Sequence, residues 1–283
     1  MDALLKKGLA RGRLYIEAVT PEIDGGRYAT KAIVHDTVAV GADIVRDGHD
    51  EVRAVVRYEL DGSGNPQETE MTYDHDSDRW SATIVPDAIG LWTYTIVAWT
   101  DTFGTWRRDL TKRYGAGQDL NVEFEVGALL VSRAARHGGK KAETFLKKVA
   151  KAFRTRHEGA DDPRMDIATG SELHALMAEL APRDDESRYG HALKRRVDPP
   201  LARFGAWYEF FPRSTGPAGK HGTFRTAKKK LPSIAKMGFD VVYLPPIHPI
   251  GTTHRKGKNN TLDPAPGDVG SPWAIGNREG GHA

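Results

Sequence analysis

The sequence predicts a multidomain chain: an antiparallel β-sandwich of the immunoglobulin-like kind, a helical-bundle insert, and then the opening of an α/β domain. Three observations carry that reading. The hydrophobic period is two over residues 10–101, becomes helical over 102–188, and gives way from 203 to 283 to a strand–helix–strand unit.

In Glu51–Leu60 the residues Val52, Ala54, Val56, Tyr58 and Leu60 share one face and the charges share the other, as a half-buried strand requires. The alternation recurs with Trp80, Ala82 and Ile84, then with Trp92, Tyr94, Ile96 and Ala98. Turn formers separate these runs: Asp24-Gly25-Gly26, Asp47-Gly48, Asp61 to Pro66 and Asp74 to Asp78. Short strands at such spacing suit a sandwich whose alternating tryptophans lie in the core. A return strand is expected at 191–200, where Leu193 to Pro200 lead back toward the next domain.

Beyond residue 101, Ala142, Phe145, Leu146, Val149, Ala150 and Phe153 fall on one helical stripe, with Lys140, Lys141, Lys147, Lys148 and Lys151 over much of the remainder. Further helices are expected at 120–136 and 171–181, the latter with Ser171 as N-cap, and Gly159–Pro163 breaks the set. No aromatics interleave with the lysines and no nucleic-acid motif accompanies them, so a bundle packed on the sandwich, or on a second subunit, fits better than a nucleic-acid surface.

From 206, Ala206–Phe211 reads as a strand. Gly222-Thr223-Phe224-Arg225 leads into an amphipathic helix carrying Leu231, Ile234, Ala235 and Met237, and Gly238 suits its C′ position. Phe239–Leu244 is a near-continuous apolar strand of the kind buried in parallel sheets, stopped by Pro245-Pro246. This is one βαβ unit of a barrel or a doubly wound sheet.

Composition narrows the function. The absence of cysteine excludes disulfides, thiolate zinc sites and cysteine nucleophiles together, and it suits a reducing compartment. No apolar run approaches the roughly 18 residues of a membrane span, and Met1–Lys7 lacks a signal-peptide core, so a cytoplasmic protein with no membrane association is expected. The net charge of +3 conceals −8 over residues 1–101, +5 over 102–196 and +6 over 197–283. A basic C-terminal third suits an anionic ligand.

The chemistry gathers in His248–Asn260, just past the second strand of the βαβ unit. That is the end of parallel α/β strands where ligands bind. Arg255, Lys256 and Lys258, the carboxamides Asn259 and Asn260, and the imidazoles His248 and His254 lie in one short loop. Cations suit phosphate and Asn side chains suit sugar hydroxyls. A solvated basic loop has the same composition, so both readings stand at this point. His248, His254 and His282 have no carboxylate or histidine at metal-ligand spacing, and neither a metal nor a cofactor is expected.

Trp207–Ser214 resembles the first barrel strand of the α-amylase superfamily, and Met237–Ile247 resembles its second. The continuation through His248–Asn260, Gly270–Gly276 and Glu279–His282 is similar to the α-1,4-glucan:maltose-1-phosphate maltosyltransferase family. That resemblance implies that residues 203–283 open a (β/α)8 TIM barrel, truncated after about two strands. It implies retaining double displacement on α-maltose 1-phosphate, an α-1,4-glucan acceptor, and a homodimer formed through the helical insert and the sandwich. It places the family's substrate-contacting lysine at Lys256, with Asn260 as a second substrate-binding residue and Arg255 and Lys258 as competing positions. The nucleophile Asp and acid/base Glu are expected beyond Ala283, so that these residues are the N-terminal part of a longer protein and inactive alone. Two alternatives remain at this stage: another α-amylase-superfamily glucan hydrolase or branching enzyme, and a non-catalytic glucan-binding or assembly module.

Overall fold

The computed structural model describes residues 14–159, 161–273 and 276–279. The first few residues of the expected sandwich, 10–13, lie outside the described residues, as do Ala274, Ile275, Gly280, Gly281 and His282 of the motifs above. The chain divides into two units, Met1–Asp198 and Pro199–Ala283.

The first unit is mostly β-sheet with helices inserted. Its chain runs through β1 (Leu14–Thr20), β2 (Thr30–Ile33), β3 (Val38–Arg46), β4 (Val52–Leu60), β5 (Gln67–Glu70), β6 (Thr72–Asp74), β7 (Arg79–Ile84) and β8 (Gly90–Thr100). Five helices follow: α1 (Thr102–Gly115), α2 (Asn121–Ala134), α3 (Lys140–Phe153), α4 (Arg164–Thr169) and α5 (Ser171–Leu180). The short β9 (Ser187–Arg188) and β10 (Leu193–Asp198) then return to the sheet. One sheet has the order β1-β3-β7-β6; the other has β2-β10-β8-β4-β5, with β9 also on β8. Strand β10 runs antiparallel to β8 and parallel to β2.

Alternation decides which side chains are buried. Ala54, Val56 and Tyr58 of β4 and Trp92, Tyr94 and Ile96 of β8 join Val38, Val40, Ala42 and Ile84 of the other sheet in one apolar cluster, and Trp80 packs against it. The opposite face of β4 and β8 is covered as well, and its Val55, Val97 and Trp99 form a buried cluster. There the Arg183 guanidinium lies 3.9 Å over the Trp99 ring, and Arg53 donates to the carbonyl of Ala178 at 2.7 Å. Glu68 is bound by Arg57 at 2.6 Å and by Arg183 at 3.0 Å. Burial works to raise the Glu68 pKa, and the two arginines more than offset it, leaving it below its usual value.

The helices enclose a second apolar core. Asp101 caps α1, its carboxylate accepting from the amide of Gly104 at 2.8 Å. Trp106 of α1 lies against α2 so closely that a Cβ on Gly127 would overlap the indole, whose N–H donates to the carbonyl of Glu123 at 2.7 Å. Leu146, Val149, Ala150 and Phe153 of the α3 stripe are buried against Phe124, Val131 and Met165. Ser171 is not an N-cap: Gly170 occupies that position, ending α4 and starting α5 with one extended residue, and Ser171 is already helical.

Gly159–Pro163 does more than interrupt the helices. Asp162 and Arg164, 8% and 5% exposed, form an ion pair at 2.6 Å inside the helical core. The guanidinium also donates to the carbonyl of Thr155 and the side chain of Asn121, and it lies 4.1 Å over the Phe124 ring. Burial pushes the Asp162 pKa upward, but the hydrogen bonds and charge of Arg164 prevail and hold it below the usual range.

The second unit contains β11 (Trp207–Glu209), α6 (Phe224–Lys228), α7 (Leu231–Lys236) and β12 (Val241–Tyr243). The two strands pair in parallel, Trp207 opposite Val241. The single helix expected after Gly222 is two short ones. Pro232 offers no N–H, and its ring excludes a regular helix through the carbonyl of Lys228, so the chain turns at Lys229-Lys230 and restarts with the proline in the first turn of α7. Gly238 follows α7 with φ of +87°, as a C′ residue does. The apolar strand expected over Phe239–Leu244 is shorter and not enclosed. Val241 and Val242 are half-buried and Tyr243 is exposed, because the sheet has only two strands among the described residues.

Arg164→Ala leaves Asp162 charged and buried, and it is expected to destabilise the first unit by about 3–5 kcal/mol, read as a shift in the urea midpoint. The native Asp162 carboxyl ionises more readily than the unfolded one. Its contribution is therefore complete above about pH 4 and is lost as the pH falls through the lowered native value. Asp162→Asn is expected to flatten that part of the stability–pH curve.

Candidate functional site

The segments that follow the C-terminal ends of β11 and β12 enclose two adjoining clefts in the second unit, of about 300 and about 660 Å³, which share Phe211, Arg213 and Pro272. The smaller is walled mainly by Pro212, Phe224, Pro245, Pro246 and Ile247 and carries His248 at its edge. The larger holds the charged groups.

Arg255 builds the loop that forms this larger cleft. Its Nε donates to the carbonyl of Gly251 at 2.9 Å, Nη2 to Ile250 at 2.8 Å and Nη1 to Asp268 at 3.1 Å. A guanidinium presents donors in a fixed planar fork, so one side chain ties three carbonyls from both ends of the loop. That use of its nitrogens gives Arg255 a structural task within the loop. Gly257 sits where the loop doubles back, its amide donating to the carbonyl of Thr261 at 2.9 Å. A Cβ there would overlap the Thr261 hydroxyl and press on Asp263 and Asp268, so the position requires glycine through close approach, with φ ordinary at −84°.

On an extended loop, neighbouring side chains would point oppositely. Instead the loop is coiled: His254, Asn259 and Asn260 all have positive φ, and Lys258–Asn260 form a 3₁₀ turn. Asparagine tolerates that region better than most residues. The coil brings Asn259 as well as Lys256, Lys258 and Asn260 to the same cleft. Lys256 is half-buried, and among the described residues it has no hydrogen-bond or ion-pair partner.

Four lining residues were not singled out by the sequence: Arg213, His221, Asp268 and Trp273. Arg213 donates to the carbonyl of Gly270 at 3.0 Å, and its guanidinium stands 5.8 Å from the Phe211 ring centroid. An Asp268 carboxylate oxygen accepts from the amide of Ala265 at 2.8 Å. Trp273 is 58% exposed and stacks on Tyr243, the last residue of β12. The signal for Arg213 and Trp273 was present, since both lie inside the resemblance motifs, but a motif does not say which of its members faces a cavity. The cleft thus carries Arg213, Lys256 and Lys258 against the single carboxylate of Asp268 among the described residues. That balance suits a ligand bearing negative charge and hydroxyl oxygens.

Comparison with known proteins gives a consistent family. A family profile described as alpha-1,4-glucan:maltose-1-phosphate maltosyltransferase, domain N/S, matches residues 12–199. An alpha-1,4-glucan:maltose-1-phosphate maltosyltransferase of Mycolicibacterium smegmatis is 42% identical over 98% of this chain and 44% of its own length. One of two from Streptomyces coelicolor is 45% identical over 96% of the chain and 41% of its own length, and that of Chlorobaculum tepidum is 43% identical over 96% and 40%. The chain spans less than half the length of these curated relatives.

The two neighbouring basic residues should separate on mutation. Arg255→Ala removes three hydrogen bonds to carbonyls and is expected to lower stability by about 1.5–3 kcal/mol in thermal or urea unfolding. Lys256→Ala is expected to stay within about 0.5 kcal/mol of the parent.

Proposed function

Because the chain belongs to the α-1,4-glucan:maltose-1-phosphate maltosyltransferase family, we propose that it contributes the sugar-phosphate cleft of a glycosyltransferase acting on α-maltose 1-phosphate and α-1,4-glucans. The observation that carries this reading is the charge of the larger cleft, with Arg213, Lys256 and Lys258 around one carboxylate at the mouth of two parallel strands. A hydrolase or branching enzyme working on neutral glucans has no electrostatic need of such a set.

In this reading β11 and β12 are the first two strands of a (β/α)8 barrel occupying residues 203–283. The two sheets of the first unit are an immunoglobulin-like sandwich with a helical insert at 102–188. Maltosyl transfer proceeds by double displacement. A carboxylate attacks the anomeric carbon as phosphate leaves from the opposite face, giving a covalent β-maltosyl enzyme. An acceptor hydroxyl at the non-reducing end of the glucan, deprotonated by an acid/base carboxyl, then displaces the enzyme with net retention. Phosphate leaves readily, so holding the donor in position matters more than strong acid assistance. Lys256 supplies an ammonium to an oxygen of the donor, Asn260 supplies an amide to its hydroxyls, and the exposed Trp273 ring offers a face for a pyranose.

The enzyme works in the cytoplasm as a homodimer that uses the helical insert. Val122, Val126 and Leu129, exposed along one side of α2, give that pairing an apolar surface. No helix among the described residues is long and apolar enough to cross a membrane. A monomer by light scattering at micromolar protein would remove the dimer from this reading.

The activity is tested by phosphate release from α-maltose 1-phosphate in the presence of an α-1,4-glucan, using the product of the complete reading frame. Turnover that needs both substrates is expected, and none above the no-protein blank would overturn the reading. Lys256→Ala should lower kcat/KM for α-maltose 1-phosphate by about 10- to 150-fold, equivalent to about 1.5–3 kcal/mol for one charge-assisted hydrogen bond. A variant within twofold of the parent would move the contact elsewhere on the loop.

A further inference from the structure

We infer that Arg213 is a second ligand-binding cation of this cleft, donating from its guanidinium to oxygen atoms of the glycosyl substrate; the inference rests on the sugar-phosphate reading above. Its place in the fold is fixed at both ends. The backbone carbonyl of Arg213 accepts from the amide of Gly222 at 2.7 Å, at the head of the 3₁₀ turn Pro212–Thr215. Gly222 comes so close that a Cβ on it would overlap the Thr215 hydroxyl and press on the carbonyl of Pro212. The far end is held by Nη1 on the carbonyl of Gly270. A long side chain normally loses rotamer freedom when it grips a ligand, and one already held at both ends loses less.

The guanidinium remains underused. Among the described residues its side chain makes one hydrogen bond, from Nη1, and no carboxylate pairs with it. Arg255 differs here, because each of its three side-chain nitrogens donates to a backbone carbonyl. Arg213 also stands on the wall shared by both clefts, with the Phe211 ring beside it and Lys256 lining the same larger cleft. An arginine with unmet donors and no paired carboxylate, held in a cleft that a second cation also lines, is set for an oxygen-rich ligand. Phosphate oxygens and sugar hydroxyls both meet that description.

The test is steady-state kinetics of phosphate release by the product of the complete reading frame, with Arg213→Lys and Arg213→Ala, each with its melting temperature. In Arg213→Lys an ammonium can still reach the carbonyl of Gly270 and hold the wall, but the planar fork is lost. Its melting temperature is therefore expected to stay within a few degrees of the parent while KM for α-maltose 1-phosphate rises tenfold or more and kcat changes less than threefold. Arg213→Ala is expected to raise KM further. Competitive inhibition by maltose and by inorganic phosphate assigns the contact. Weaker inhibition by phosphate alone places Arg213 on the phosphate oxygens, and weaker inhibition by maltose places it on the hydroxyls. A KM within twofold of the parent in Arg213→Lys overturns the inference. So does a rise in KM that appears only together with a matching loss of melting temperature in both variants. A parent protein without turnover would instead overturn the sugar-phosphate reading on which the inference rests.

Discussion

Strand β10 holds the larger sheet of the first unit together. It fills the space between β2 and β8, parallel to one and antiparallel to the other, and among the described residues β2 has no other neighbour in that sheet. The chain leaves the sheet at Thr100, builds five helices, touches β8 again through β9 at Ser187–Arg188, and comes back in register along β10 from Leu193. Closing a loop costs entropy that grows slowly with its length, by about 0.6 kcal/mol per doubling. The excursion is tolerable because the helices bury a core of their own around Phe124, Leu146 and Phe153. The two ends are then pinned on the outer face of the sheet. Thr100 donates from its amide to the Asp185 carboxylate at 2.9 Å, and Arg183 bonds Glu68 while covering the Trp99 ring.

Much of that frame was legible in the residues. Period two in β4, β7 and β8 identifies the faces that meet in the core, since Ala54, Val56 and Tyr58 are buried where the pattern puts them. The α3 stripe is equally direct. What periodicity could not supply was the second covered face at Val55, Val97 and Trp99, because alternation assumes that one side of a strand meets water. Strand β10 was expected at 191–200 from its place ahead of the next domain, and its buried face was not. Arg195 occupies one of its inward positions and is 5% exposed, bonding the carbonyl of Lys31 beside the Tyr94 ring. A charged residue at a core position reads as surface until its partners are known. The Asp162–Arg164 pair was hidden for the same reason, inside a segment that looks like a polar break.

In the second unit, the two strands and their parallel order follow from the sequence, but the helix between them does not survive Pro232 as one piece. The basic loop was visible as composition, and composition could not rank its cations. Ranking requires knowing which guanidinium or ammonium is already satisfied, and that depends on carbonyls as far away as Asp268. An extended loop would turn Asn259 away from Lys258 and Asn260. The left-handed conformations at Asn259 and Asn260 abolish that alternation, and all three line one cleft with Lys256.

The two arginines of this unit illustrate why charge near a cleft is a poor guide until hydrogen bonds are counted. Arg255 and Arg213 both reach across to the segment that closes the cleft, one to Asp268 and the other to Gly270. Gly270 is itself confined, with φ of +79° and a Cβ direction blocked by Ile250 and by the stem of Arg255. Any side chain there would strain the backbone and push Arg255 off the carbonyls it gathers. Gly270 therefore fixes the wall that both arginines hold. Every side-chain nitrogen of Arg255 donates in that work, whereas Arg213 uses one. A cleft built this way keeps its shape without help from anything inside it, because the bonds that define it are internal to the wall and the ammonium of Lys256 takes no part in them.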